Sequence, residues 1–192
     1  LRRDTDFAVS QNSGFNIMLQ SAQVVVAGFG FSDSLRNDYT GIDARGKIVL
    51  VTPNATQKNS KQVVSLSALQ SAARKNGAIA LLVSSDFFPR KRTSDVGNMY
   101  VQDYRKDSLP NTFFIADSIT RIIMGSDFAL LKKASAKVPP GKVYPVNISL
   151  ELKKNTEHLE SCNVIGMLEG TDKKDEAIIV TSHFDHLGKK DS

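Results

Sequence analysis

The chain has 192 residues, 41% hydrophobic and 23% charged, enough for one good core or for one domain plus the start of another. A formal charge of +5 is spread over short groups such as Arg90-Lys91-Arg92 and Lys132-Lys133, with no basic stripe or repeated aromatic platform, so no nucleic-acid partner is expected. The lone Cys162 excludes an intrachain disulfide, and no apolar run reaches the length of a membrane span.

Along the chain, residues 1–20 carry weak signals and read as a connecting segment. Imperfect alternation at Phe15, Ile17 and Leu19 allows at most a short strand. Residues 22–27, with Val24-Val25-Val26, read as a buried strand ended by Gly28-Phe29-Gly30. A second strand covers residues 46–51 and closes at Pro53-Asn54. Ser60 is a candidate N-cap for a helix to about Asn76, with Val63, Leu66, Leu69 or Gln70, and Ala73 on one side. Gly77 suits the C′ position, because it tolerates positive φ. Residues 78–83 form a third strand, which makes a strand–helix–strand crossover.

Residues 84–109 are loop-rich, and residues 112–116 are a further strand. Asp117 or Ser118 is placed to cap a helix through Met124, and Ser126 a second one to about Ala134. Pro139-Pro140-Gly141 is a sharp break. Val146, Ile148, Leu150 and Leu152 then alternate with polar residues, as in a half-buried antiparallel strand. Residues 163–168 and 177–181 are expected to be two more strands joined by a turn. With nothing after them to cover both, they read as the opening of a truncated second domain. Cys162 would open the first of them as a small buried hydrophobe.

Two glycine motifs carry no cofactor. The stretch from Gly41 to Gly46-Lys47 fits a phosphate-loop spacing, but Ile48 stands where Ser or Thr must hold magnesium, and a strand follows rather than a helix. Gly28-Phe29-Gly30 lacks the third glycine and the helix of a dinucleotide loop. Asn54-Ala55-Thr56 and Asn147-Ile148-Ser149 match the glycosylation tripeptide, which matters only on a eukaryotic secretory route.

The informative cluster is Thr181-Ser182-His183-Phe184-Asp185-His186-Leu187-Gly188, directly after Ile178-Ile179-Val180. Residues i and i+2 of an extended segment face the same way. His183 is therefore a candidate metal ligand, and Asp185 a carboxylate that orients its ring through the other nitrogen. By themselves these residues leave two readings open: a metal or catalytic site, or polar residues in a strand-ending turn. Zinc needs three or four protein ligands, and His158 is too far along the chain to be a good third.

Residues 163–170 (Asn-Val-Ile-Gly-Met-Leu-Glu-Gly) together with 177–188 resemble the opening of the catalytic domain of the co-catalytic zinc aminopeptidases and carboxypeptidases. These are relatives of glutamate carboxypeptidase and transferrin receptor. Upstream, residues 24–30, Asp38-Tyr39, residues 41–43 and 46–49, the helix at 67–76 and the strand at 77–83 resemble the protease-associated domain that accompanies such enzymes.

The resemblance implies a mixed α/β fold in three parts. These are a connecting segment at 1–20, a protease-associated domain at 21–153, and the first strands of a zinc-peptidase domain at 154–192. It also implies that His183 binds one of two zinc ions and that Asp185 orients it. The remaining ligands and the general-base glutamate come from later segments. The parent would be a zinc-dependent metallopeptidase of a group that usually trims one residue from a free amino end, although some relatives remove carboxyl-terminal residues, and it would act on a peptide or protein substrate outside the cell or in the periplasm. In it, two zinc ions polarise the scissile carbonyl and activate a bridging water. This fragment is expected to be inactive and a weak zinc binder. The alternative is a non-catalytic interaction module like that of transferrin-receptor-like proteins.

Overall fold

The computed structural model describes residues 1–10, 16–34, 36–53, 65–90, 109–131, 141–153, 160, 162–173 and 175–183. The chain divides into two units, residues 1–155 and 156–192.

In the first unit, the described residues form one mixed six-stranded sheet flanked by helices. The elements in chain order are β1 (Phe7–Val9), β2 (Ile17–Val26), β3 (Ile48–Val51), α1 (Leu66–Lys75), β4 (Ala80–Ser85), β5 (Asn111–Ala116) and α2 (Asp117–Met124). A 3₁₀ turn (Gly125–Asp127), α3 (Phe128–Leu131) and β6 (Val143–Leu152) complete it. The strand order is β1-β5-β4-β3-β2-β6. The four middle strands are parallel, and β1 and β6 pair antiparallel at the two edges.

A parallel sheet is covered on both faces, so its strands must be apolar on both sides. The sequence satisfies this at the centre, where all four residues of β3 are buried. Ile48 and Leu50 face a core shared with Val24, Val26, Ala80, Leu82, Phe113 and Ile115. Ile123 and Met124 of α2 and Phe128 of α3 close it. Val49 and Val51 face the opposite core with Leu81 and Val83, closed by Leu69, Ala72 and Ala73 of α1.

Two buried polar seams tie helices to strands. Gln70 Nε2 of α1 donates to Thr112 Oγ1 at 3.0 Å, and Thr112 Oγ1 donates to the Pro110 carbonyl at 2.8 Å. Thr120 Oγ1 of α2 donates to Ser84 Oγ at 2.9 Å, and Ser84 Oγ donates to Asp117 Oδ1 at 3.3 Å. Such bonds offset part of the cost of burying polar groups at the helix–sheet contacts; Gln70 Oε1 is buried with no hydrogen-bond partner among the described residues.

The capping residues differ from the sequence expectation. α1 is capped by Ser65, whose Oγ accepts from Ala68 N at 3.2 Å; Ser60 lies outside the described residues. α2 begins directly from β5, with Ala116 at the N-cap position and no side-chain cap bond. Asp117 and Ser118 are inside the helix because the strand runs straight into it, which leaves no intervening residue to serve as a cap. Ser126 is likewise inside the 3₁₀ turn. Gly77 does take the left-handed conformation, at φ +79°.

β6 shows the expected alternation, with Val146, Ile148, Leu150 and Leu152 half-buried. It pairs with β2 from Ile17↔Leu152 to Val25↔Val143, with a register shift between Ser21 and Gln23. Pro145 sits at this irregularity on an edge strand, where its missing N–H is tolerated. Residues 7–9 and 17–20, read as connecting chain, contribute to the sheet through β1 and the start of β2. Asn147 is exposed on β6.

Asp127 anchors the 3₁₀ turn to β6. Its Oδ2 accepts from Lys142 Nζ and, at 2.7 Å, from Tyr144 Oη. The Lys142 hydrogen bond, followed by that of Tyr144, holds the Asp127 carboxyl below the usual carboxylate range. Burial, followed by the Asp127 hydrogen bond, pushes the Tyr144 phenol up.

The second unit departs from expectation. Residues 163–168 and 177–181 contain no strand, and no helix or strand occurs among the described residues of 160–183. Val164, Ile165, Met167, Leu168, Ile178, Ile179 and Val180 are 83–98% exposed. Cys162, expected to be buried, is exposed as well. The physical reason is shared: among the described residues of this unit no further strand or helix packs on the two short apolar segments to make a core, so pairing them gains little.

Two measurements check this description. Hydrogen exchange should show β3 and β4 protected to near the global stability and residues 163–183 essentially unprotected; comparable protection in both regions would contradict it. The second concerns acid. A carboxyl with a lowered folded-state pKa stabilises above the unfolded value, about 4, and that stabilisation is lost as pH falls through the folded value. Asp127→Asn should therefore melt below the wild type at pH 7, with the gap narrowing below about pH 4. A gap constant across the titration would count against the Asp127 anchor.

Candidate functional site

The carboxyl ends of parallel strands are where α/β sheets present ligand-binding loops. Here that edge carries the loop after β2. Ala27 N donates to the Leu50 carbonyl at 2.9 Å, and Thr52 donates to the Gly28 carbonyl through its backbone N–H at 2.8 Å and its Oγ1 at 3.1 Å. These bonds hold the start of the loop against the end of β3.

Gly30 fixes its path. It adopts φ +81°, and a Cβ there would lie 2.8 Å from both Leu69 Cδ2 of α1 and Val51 Cγ1 of β3. Only a residue without a side chain fits between the two core elements.

Asp38 organises the loop from within. Its Oδ2 accepts from the backbone N–H groups of Phe29 and Phe31, each at 3.1 Å, and its Oδ1 accepts from Arg36 Nε at 2.8 Å. The Arg36 guanidinium carbon sits 4.4 Å from the Phe29 ring centroid and 4.8 Å from that of Phe31. The two rings meet edge to face, with centroids 6.5 Å apart and planes at 72°. Contacts at these distances are in the range of cation–π attraction.

Tyr39, next in sequence, is buried, and its hydroxyl has no hydrogen-bond partner among the described residues. Burial first, and the charge of Asp38 second, push its phenol up, so it stays protonated and is unsuited as a general base.

In sequence, Gly28-Phe29-Gly30 reads as a turn and Asp38-Tyr39 belongs to the family resemblance, whereas Arg36 draws no notice. A guanidinium clamped by residues five and seven positions away leaves no periodic trace. The available hint was an Arg and an Asp, two apart, soon after a Gly-Phe-Gly-Phe run.

Of the two residues expected at a metal site, His183 is described and exposed, and Asp185 lies outside the described residues. The neighbouring His186 and the distant His158 lie outside them as well. Among the described residues, no three His, Cys, Asp or Glu side chains come together in a way that could hold a metal ion. No described helix is long and apolar enough to cross a membrane.

No protein-family model matches the chain, and no curated protein does. Among solved structures, an aminopeptidase from Aneurinibacillus sp. strain AM-1 is similar over 64% of this chain, with a TM-score of 0.39 and 16% identity. The chain matches 26% of that enzyme's length. The likeness is distant and partial, and at this level it fixes neither the fold nor the activity.

Gly30→Ala should lower stability by about 2–5 kcal/mol, the sum of a left-handed backbone penalty and overpacking. Gly41→Ala is the internal control. Gly41 has φ +75° but nothing within 4 Å of where a Cβ would stand, so only the backbone part, about 1–2 kcal/mol, is lost there. Urea denaturation of the two variants measures the difference, and equal losses would show that Leu69 and Val51 yield to the added methyl.

Proposed function

We propose that this chain is the accessory domain and the amino-terminal edge of the catalytic domain of a zinc-dependent exopeptidase, whose parent is an aminopeptidase. One observation carries the reading: the run Ile178-Ile179-Val180-Thr181-Ser182-His183-Phe184-Asp185, in which an apolar segment delivers a histidine and a carboxylate at i and i+2. His183 would serve as a zinc ligand and Asp185 as the group that orients its ring. The protein would work outside the cell or in the periplasm on peptide or protein substrates.

The mixed α/β architecture of residues 1–155 is compatible with an accessory role. Its carboxyl-edge loop is pinned by backbone and Asp38 hydrogen bonds, and the buried tyrosine beside it is held protonated, so that loop offers no evident acid–base pair. The exposed apolar runs of residues 163–168 and 177–180 are of the kind that become central strands when other strands and helices cover them. Peptide-bond cleavage is accordingly assigned to the parent and not to this chain alone.

The test uses the longest protein encoded with this segment, assayed on amino-acid p-nitroanilides with and without a chelator. Hydrolysis should depend on zinc. His183→Ala should reduce zinc content and activity together. Asp185→Asn should cost roughly 10–100-fold, the usual effect of losing a carboxylate behind a ligating histidine. Full activity after exhaustive chelation, or an unaltered His183→Ala enzyme, would end the proposal. A stably folded parent with no hydrolytic activity would favour the interaction-module alternative.

A further inference from the structure

The geometry points to a second site on this chain: the loop that carries Phe29, Phe31, Arg36 and Asp38 is a receptor for a carboxylate group on an acidic peptide, with the Arg36 guanidinium as its anchor. A guanidinium has five N–H donors in a planar fork. Asp38 takes the one on Nε, and the two Nη groups have no hydrogen-bond partner among the described residues. The Arg36 side chain as a whole is 45% exposed.

Three features separate this arginine from an ordinary surface one. The rings of Phe29 and Phe31 both contact it, on two adjacent sides, and such contacts lower the side-chain entropy left to be lost on binding. The Asp38 carboxylate, only 13% exposed, fixes the Nε side and is itself held by two backbone N–H groups. The loop beneath is locked by Gly30 between Leu69 and Val51 and by the closed turn in which Arg36 N donates to Asp33 Oδ1 at 2.8 Å.

A fork fixed on one side with donors free on the other matches the two oxygens of a carboxylate. Apolar ring edges beside it suit the aliphatic part of a Glu or Asp side chain. Asp33 and Asp38 also lie in the loop and oppose a further negative charge. The binding is therefore weak, with a dissociation constant on the order of millimolar, and it selects for carboxylate geometry rather than for bulk negative charge. This inference does not rest on the peptidase reading, since it needs neither zinc nor the residues around His183.

The test titrates the isotopically labelled 192-residue chain with acetyl-Ala-Glu-Ala-amide and, in parallel, with its Gln isostere, while nuclear magnetic resonance follows the Arg36 Nε–H and the Phe29 and Phe31 amides. The Glu peptide should shift these signals saturably, and the Gln peptide should bind about tenfold more weakly. Arg36→Gln should abolish the response. Arg36→Lys keeps the positive charge and loses the fork, and should weaken binding several-fold while the Phe29 and Phe31 amides keep their positions. Equal binding of the two peptides, shifts that map away from this loop, or undiminished affinity in either Arg36 variant would overturn the proposal. Failure of the aminopeptidase assay would leave these outcomes unchanged.

Discussion

Four parallel strands side by side, each needing apolar cover above and below, set most of what this chain does in space. β2 to β5 form that block, and β3 at its middle has every residue buried. Hydrogen bonding along the ladders satisfies the backbone, but it leaves two apolar faces that water must not reach. α1 closes one face, while α2 and α3 close the other. The antiparallel edges are under a looser demand, which is why β6 keeps one half-buried side and one polar side.

The same packing creates the loop at the carboxyl edge. Leu69 of α1 and Val51 of β3 converge so closely that the chain between β2 and the Asp38 turn passes only as glycine at position 30. Once the path is fixed, the N–H groups of Phe29 and Phe31 converge on one Asp38 oxygen, and their rings bracket Arg36. A guanidinium held in this way is a product of the core beneath it.

The segment from 162 to 183 presents the opposite case. Its apolar runs resemble those of β3 and β4 in composition, yet the large side chains are almost fully exposed and no strand forms among its described residues. Apolar composition supplies the free energy of burial only when something is there to bury against. Two short runs with no third element among the described residues leave the cost of ordering the backbone unmet.

Much of the sheet was legible in the amino-acid order. Val24-Val25-Val26, the apolar end of the strand read at 46–51 and the run read at 78–83 are apolar without alternation, which marks buried strands. The spacing of Leu66, Leu69 or Gln70, and Ala73, closed by Gly77, marks the helix between them, and the alternation from Val146 to Leu152 marks a half-buried antiparallel strand. These are local signals, because each follows from the period of one element. Tertiary structure alone decided that β6 returns beside β2 and that β1 adds to β5. It also decided that Ser65 and not Ser60 caps the described helix, that α2 starts from Ala116 without a side-chain cap, and that Arg36 stands between two rings. Those outcomes depend on which surfaces meet across long stretches of chain, and a side chain's neighbours in space are set by packing rather than by its neighbours in sequence.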